Sequence, residues 1–465
     1  MKRPVILLLA GLLPLLPLAA QGAVPVITLQ QSIDAALANG DDNKVLQGNL
    51  DAARAQHALN VSKNSFTLGG SAGYVVAAPY GQYSSSLPIA SAGGSSPQGG
   101  VAGVSLAGPL TSVNLSAYPW IPPVGTFTDN TSSLGLTVSQ TLWNGYPGGP
   151  SQATVDKSLL TLRGKELGTD ASRLGIVYNV KQAYYTLLAA QRTLDTKNQI
   201  FDKQNQLLKQ IQAVYDLGLA ARVDLRTAQL NARSAQVDVD SATHDVRFAR
   251  IAVATLMGMP QDSVFAVADT DDPVVPAATV EDAVTQGLAR RVEIKQVELS
   301  LQSSKVDLAV ARGQGTPTVS VNGGANVLLD WSNVNNNGGT VNAGVKVSMP
   351  ILDAGGVRNQ VNAILRQNDV FALQETQLRK SITTAIQNAW DSLSLAREKL
   401  ELAGLSADTF TLQYQIISAA HDAGTASTQD LLTASVNAAT AQTALAAAKS
   451  AVQLAALTLL NSMGY

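Results

Sequence analysis

The segment Tyr215–Leu225 returns as His421–Leu431. The aspartate, glycine, aspartate and leucine fall in step at Asp216/Asp422, Gly218/Gly424, Asp224/Asp430 and Leu225/Leu431. The register then continues through Thr227/Thr433, Ala228/Ala434 and Asn231/Asn437. A chain that repeats itself in this way folds as two copies of one unit, so any architecture must accommodate the unit twice. Each copy also carries alternating segments beside its helical ones, which predicts a helix-plus-hairpin unit and excludes a plain coiled coil.

The repeats are expected at residues 24–258 and 279–465, with hairpins over 66–142 and 317–352 and a connector over 259–278 that holds Pro273 and Pro276. Residues 1–23 read as a secretory signal: Lys2 and Arg3, an apolar run from Val5 to Leu18, then Ala19, Ala20, Gly22 and Ala23. Helices are predicted over 28–63, 151–216, 280–312 and 357–421, with a returning helix after each tip turn. A helix of roughly 65 residues is about 100 Å long, far beyond the globular range. Gly258 and Pro260 end the first returning helix, the glycine tolerating left-handed geometry and the proline unable to continue. After the leader, no segment is expected to have the length and apolarity of a transmembrane helix, so a membrane crossing would fall to strands.

The alternation is that of membrane strands. Leu134, Leu136, Val138 and Leu142 oppose Ser133, Thr137, Ser139 and Thr141; Val341, Ala343, Val345, Val347, Met349 and Ile351 oppose Asn342, Lys346 and Ser348. Phe66, Leu68, Ala72, Tyr74 and Val76, and Val319, Val321, Ala325 and Val327, form two more such faces. Runs of about ten residues match a tilted crossing strand; a half-buried soluble sheet shows the same alternation. Four strands per chain cannot close a barrel, and an open edge in hydrocarbon leaves backbone groups unsatisfied. Two chains would give eight strands and a filled interior, three chains twelve and a water-filled lumen. The Gly-, Ser- and Pro-rich stretch from Pro79 to Asn130 reads as a long external loop, with Tyr80, Tyr83, Tyr118 and Trp120 available at a pore mouth.

Only 14% of residues are charged, with a formal net charge of -2, which leaves no basic footprint for nucleic acid. The absence of cysteine excludes disulfides and thiolate metal sites. His57, His244 and His421 have no ligand spacing, and no cofactor-binding motif is present. Gly69-x-Ser71-x-Gly73 has the spacing of a hydrolase nucleophile elbow, but it lies in an alternating strand. No catalytic residue, metal or cofactor is expected.

The order helix, strand, strand, long helix, tip, helix, given twice, resembles the bacterial outer-membrane efflux proteins, the TolC-like outer membrane factors. Leu256-Met257-Gly258-Met259-Pro260 closes the first half, and Leu142-Trp143-Asn144-Gly145 and Ile351-Leu352-Asp353-Ala354-Gly355-Gly356 stand at the strand-to-helix junctions. The resemblance implies a mainly α fold, a trimeric α-helical barrel in the periplasm and a shared twelve-stranded β-barrel in outer-membrane lipid. It implies a passive exit channel of a tripartite efflux or type I secretion system, working with a periplasmic membrane-fusion adaptor and an inner-membrane pump of RND, ABC or MFS type. The alternative is a non-conducting trimeric stalk, which would not need the hairpins.

The resemblance also places site residues. Gly218, Leu219, Gly424 and Thr425 match the tip turns that meet the adaptor. Asp430 matches an aspartate ringing the closed entrance, and Asp224 one that locks it; Asp216, Asp422 and Arg222 lie beside them. The tyrosine and arginine partners of the lock fall on His421 and Ala426, and a second entrance aspartate on Thr433, so an imidazole facing Asp224 is the expected replacement.

Overall fold

The computed structural model describes residues 25–75, 99–118, 131–218, 220–330 and 334–465. The leader, Leu219, Tyr80, Tyr83 and Trp120 lie outside these residues. Two compact units emerge: one gathers the described residues up to Gly40 with Ile176–Val274 and Leu393–Leu457, and the other gathers Asp41–Gly175, Val275–Ser392 and Thr458–Tyr465.

The first unit is built on helices. Strand β1 (Val26–Ile27) leads to α1 (Leu29–Asn39), which begins in a capping box: Thr28 Oγ1 accepts from Gln31 N, and Gln31 Oε1 accepts from Thr28 N. The later half of α3 (Gly149–Asp216), all of α4 (Arg222–Leu256), the later half of α7 (Gly356–Asp422) and most of α8 (Thr428–Ser462) complete it. The connector contains a second short strand, β6 (Ala266–Val267), parallel to β1. Above this pair lies a core of Tyr184, Leu187, Leu188, Val253, Met257, Phe265 and Leu457. Tyr184 Oη donates to the carbonyls of Ile27 (3.1 Å) and Ala268 (2.8 Å), and Tyr185 Oη donates to that of Asp271 (2.8 Å). The two phenols thus give the connector carbonyls of Ala268 and Asp271 a buried partner, and Tyr184 adds a second donor to the Ile27 carbonyl, which already accepts from Ala268 N (3.0 Å).

The duplication extends to how the helices end. Gly258 has φ 68° and Gly464 has φ 81°. Met259 N donates to Ala254 O (2.9 Å) and Tyr465 N to Leu460 O (3.0 Å), so both returning helices close in the same left-handed motif. Both expected leading helices are broken: 28–63 divides at Gly40 into α1 and α2 (Asp41–Lys63), and 280–312 at Arg291 into α5 (Val280–Arg290) and α6 (Val292–Gly313). At each break the backbone turns extended, with ψ of 134° at Gly40 and 120° at Arg291.

One expectation about the helices is corrected. Helix α8 is long and apolar enough to cross a membrane by length and composition. Its many alanines raise the hydropathy, whereas Leu431 and Leu432 pack with Leu207, Ile211, Leu225 and Ala228.

The second unit holds a six-stranded antiparallel sheet in the order β2 (Thr67–Val75), β3 (Gly99–Ala107), β4 (Thr111–Tyr118), β5 (Thr131–Trp143), β7 (Thr318–Asp330), β8 (Gly338–Ser348). This corrects the expected four strands per chain: β3 and β4 come from the stretch read as loop. In β3 glycines and alanines hid the pattern, since a strand with small side chains carries little hydropathy contrast; β4 alternates but is set in glycine- and proline-rich surroundings. A β-bulge between Thr141 and Trp143 ends β5, where Trp143 Nε1 donates to Thr316 Oγ1 (3.0 Å). At the following corner the backbones of Gly145 and Gly313 meet so closely that a Cβ on either would overlap the other's main chain; Gly145 also has φ 92°.

Candidate functional site

The sheet separates its side chains by polarity, row by row. Leu68, Leu106, Val113 and Val138 stand in one cross-strand row that continues to Ala343. The row two residues along holds Val104, Leu115, Leu136, Ala325 and Val341, and the next Ala72, Ala102, Ala117, Leu134 and Val327. The face is open, with Leu68 75% and Val341 86% exposed. Nonpolar rows this regular, with no described residue laid over them, define a surface made for an apolar surrounding.

The opposite face carries Ser105, Asn114, Thr137 and Asn342 in one row and Ser71, Ser116, Asn326 and Thr340 in another. Ser139 Oγ donates to Asn322 Oδ1 across the strands at 2.8 Å. Gly69, Gly103 and Gly135 lie on this face opposite serines, each with a Ser Oγ 3.0 Å from where a Cβ would stand. Ser71 sits mid-strand with no strand-to-helix turn, so the Gly69-Ser71-Gly73 spacing builds no nucleophile elbow.

The tip turns belong to the first unit. Gly424 (φ 76°) ends α7: Gly424 N donates to His421 O (2.9 Å) and Thr425 N to Ala420 O (2.8 Å), the paired bonds of a left-handed helix stop. Gly218 (φ 77°) ends α3 with its N–H on Tyr215 O (2.8 Å). Neither glycine has a neighbour within 4 Å of a Cβ position, so backbone conformation and not crowding requires them.

The expected entrance aspartates are helix caps within the chain. Asp430 Oδ2 accepts from Ser427 N (3.3 Å) and Ser427 Oγ (2.6 Å), and Asp224 Oδ2 accepts from Ala221 N (3.3 Å). Both lie in the first helical turn, where a carboxylate also meets the positive end of the helix dipole. Asp216 accepts from Gln212 Nε2 (2.8 Å). His421 Nε2 lies 3.4 Å from Thr428 Oγ1 and its Nδ1 3.9 Å from Asp422 Oδ1. Among the described residues no ion pair joins His421 to Asp224; the helix turn has drawn the imidazole toward its own strand of chain. Arg222, exposed, opens α4. Leu217 and Val223 flank the first tip at 74% and 70% exposure, an apolar feature not anticipated from the repeat.

A further signal that was present in the sequence is a heptad stripe. On α7, Leu395, Leu402 and Ile416 share one heptad position and Leu405 and Leu412 the other, and all are exposed; on α4, Val223, Leu230 and Val237 repeat likewise.

A duplicated helical body joined to a membrane-type sheet defines the outer-membrane efflux class, and the chain belongs to the outer membrane efflux protein family, whose profile matches residues 101–259 and 283–465. It is therefore an outer-membrane protein of efflux. Among curated relatives it is 22% identical over 339 residues to nodulation protein T of Rhizobium leguminosarum bv. viciae, covering 70% of this chain and 67% of that one. It is 24% identical over 261 residues to the antibiotic efflux pump outer membrane protein ArpC of Pseudomonas putida, covering 54% and 52%. Among solved structures, CusC superposes with a TM-score of 0.70 over 96% of this chain and 95% of that one, at 17% identity.

Proposed function

We propose that the protein is a passive homotrimeric exit duct, receiving solutes from a periplasmic adaptor and an inner-membrane pump and releasing them outside. The observation that carries this reading is the sheet: rows of exposed Leu and Val on one face, Ser, Thr and Asn on the other. Lipid takes the first face and water the second. A non-conducting stalk has no use for such a sheet.

The exposed heptad stripes on α4 and α7 support self-association, because leucines at a and d positions bury themselves against a second helix. The exposed Leu217 and Val223 beside Gly218, with Gly424 and Thr425 at the second tip, suit docking to the adaptor. Asp216, Asp224, Asp422 and Asp430, multiplied by three, form acidic rings at the entrance and favour cations. Energy for transport comes from the pump, and substrate choice, drug or secreted protein, belongs there too.

The test is native mass spectrometry and planar-bilayer recording of the purified protein. Conducting trimers support the reading. A stable monomer, or a trimer that never conducts, refutes it.

A further inference from the structure

We infer that three copies of this chain close an eighteen-stranded barrel, β2 of each copy pairing with β8 of the next. The inference rests on the channel reading above. It departs from the four strands per chain expected from the sequence, because the hairpin of β3 and β4 is inserted between β2 and β5 and paired on both sides.

The side chains of the inserted hairpin follow the rows of the strands around it. Leu106 and Val113 continue the row from Leu68 to Val138, and Val104 and Leu115 meet Leu136. On the other face Ser105 and Asn114 continue toward Thr137. An external flap standing in water would have no physical reason to keep its apolar residues in register with lipid-facing ones. At nine and eight residues, β3 and β4 are close to the length that a tilted crossing strand needs.

Only the two edges remain unpaired in the sheet: β2 is bonded to β3 alone and β8 to β7 alone among the described residues. Backbone groups on those edges must be satisfied if the apolar face lies in lipid. With six antiparallel strands the edges run in opposite directions, so β2 meets β8 of a neighbouring copy with the same antiparallel pairing used everywhere else. No other segment is needed to finish the ring.

Barrel diameter grows about linearly with strand number, so eighteen strands give a lumen roughly half again as wide as twelve. The lining is made mostly of Ser, Thr, Asn and Gly, with Lys346 and Asp330 as its charges among the described residues. A wide, weakly charged mouth passes bulky hydrophilic solutes without sorting them by charge, and leaves charge preference to the acidic tips.

The experiment uses the full-length assembled protein in nanodiscs. Electron cryomicroscopy is expected to count eighteen strands in a trimer; twelve strands, in a trimer or a dimer, overturn the inference while leaving the channel reading intact. A protein that forms no pore overturns both. The native chain has no cysteine, so two engineered pairs report independently: Leu68→Cys with Leu106→Cys, and Leu115→Cys with Leu136→Cys. Both pairs are expected to form disulfides on oxidation of conducting trimers. Failure of both to cross-link in trimers that conduct overturns the inference.

Discussion

Ser427 and Asp430 hold each other: Ser427 Oγ donates to the Asp430 carboxylate at 2.6 Å and accepts from Asp430 N at 3.1 Å. The equivalent pair at the first tip is Ala221 and Asp224, where alanine has no oxygen to return the bond. The two tips therefore differ in how firmly their returning helices begin. Loss of an N-cap hydroxyl costs about 1 kcal/mol. Ser427→Ala is expected to speed amide exchange in the first turn of α8, and Ala221→Ser to slow it in α4. Unchanged exchange in both would refute the asymmetry.

The entrance charge can be removed while the N-cap N–H keeps an acceptor, because an Asn at the third helical position still offers a side-chain oxygen to Ala221 N or Ser427 N. Asp224→Asn and Asp430→Asn should each reduce cation preference, read as a smaller reversal potential in a salt gradient. Anion preference in the parent protein would contradict the acidic ring.

Leu402→Asp with Leu412→Asp places charge on the exposed stripe of α7 without touching a buried residue. The expected result is a folded chain, unchanged in helical circular dichroism, that runs as a monomer in detergent. A double variant that still forms stable trimers removes the stripe from the assembly interface.

Tyr184 anchors two carbonyls, so Tyr184→Phe should lower stability by about 1–3 kcal/mol, measured by urea unfolding. Burial, the largest influence, raises the phenol above its ordinary value of 10.0. A raised folded-state value means the protonated form is favoured by folding. This stability is fully present below about pH 10 and falls as the pH climbs through the raised value. An equal alkaline loss in Tyr184→Phe and the parent would assign that loss elsewhere.

Asp353 receives Val357 N at 2.9 Å and Gly355 N at 3.0 Å, and these bonds, that of Val357 first, lower its carboxyl below 3.8. A depressed value gives stability that is present above about pH 4 and lost as pH falls through the folded-state value. Amide exchange at the start of α7 should therefore accelerate in acid, and Asp353→Asn should flatten that response. A pH response that survives the substitution refutes this assignment.

The sequence disclosed its repeat wherever the backbone needed a particular residue type: Gly218 and Gly424 at positive φ, Asp224 and Asp430 in a first helical turn. It disclosed strands wherever large apolar residues alternated with polar ones, as in Leu134, Leu136 and Val138. Thr111–Tyr118 alternated too, with Val113 and Leu115 against Ser112, Asn114 and Ser116, but its glycine- and proline-rich surroundings outweighed it. The breaks at Gly40 and Arg291 were hidden because helical periodicity continues on both sides. The partner of His421 was illegible for another reason: it depends on a side-chain direction at a turn, which residue spacing does not encode.

Where Gly145 and Gly313 touch, main chain rests on main chain with no side chain between them. A contact mediated by side chains can be retuned by exchanging one rotamer for another, but this one has no adjustable part. Sequence drift on either side can change what the protein carries or meets, yet it must leave in place a two-residue contact whose thickness is fixed by the peptide unit itself.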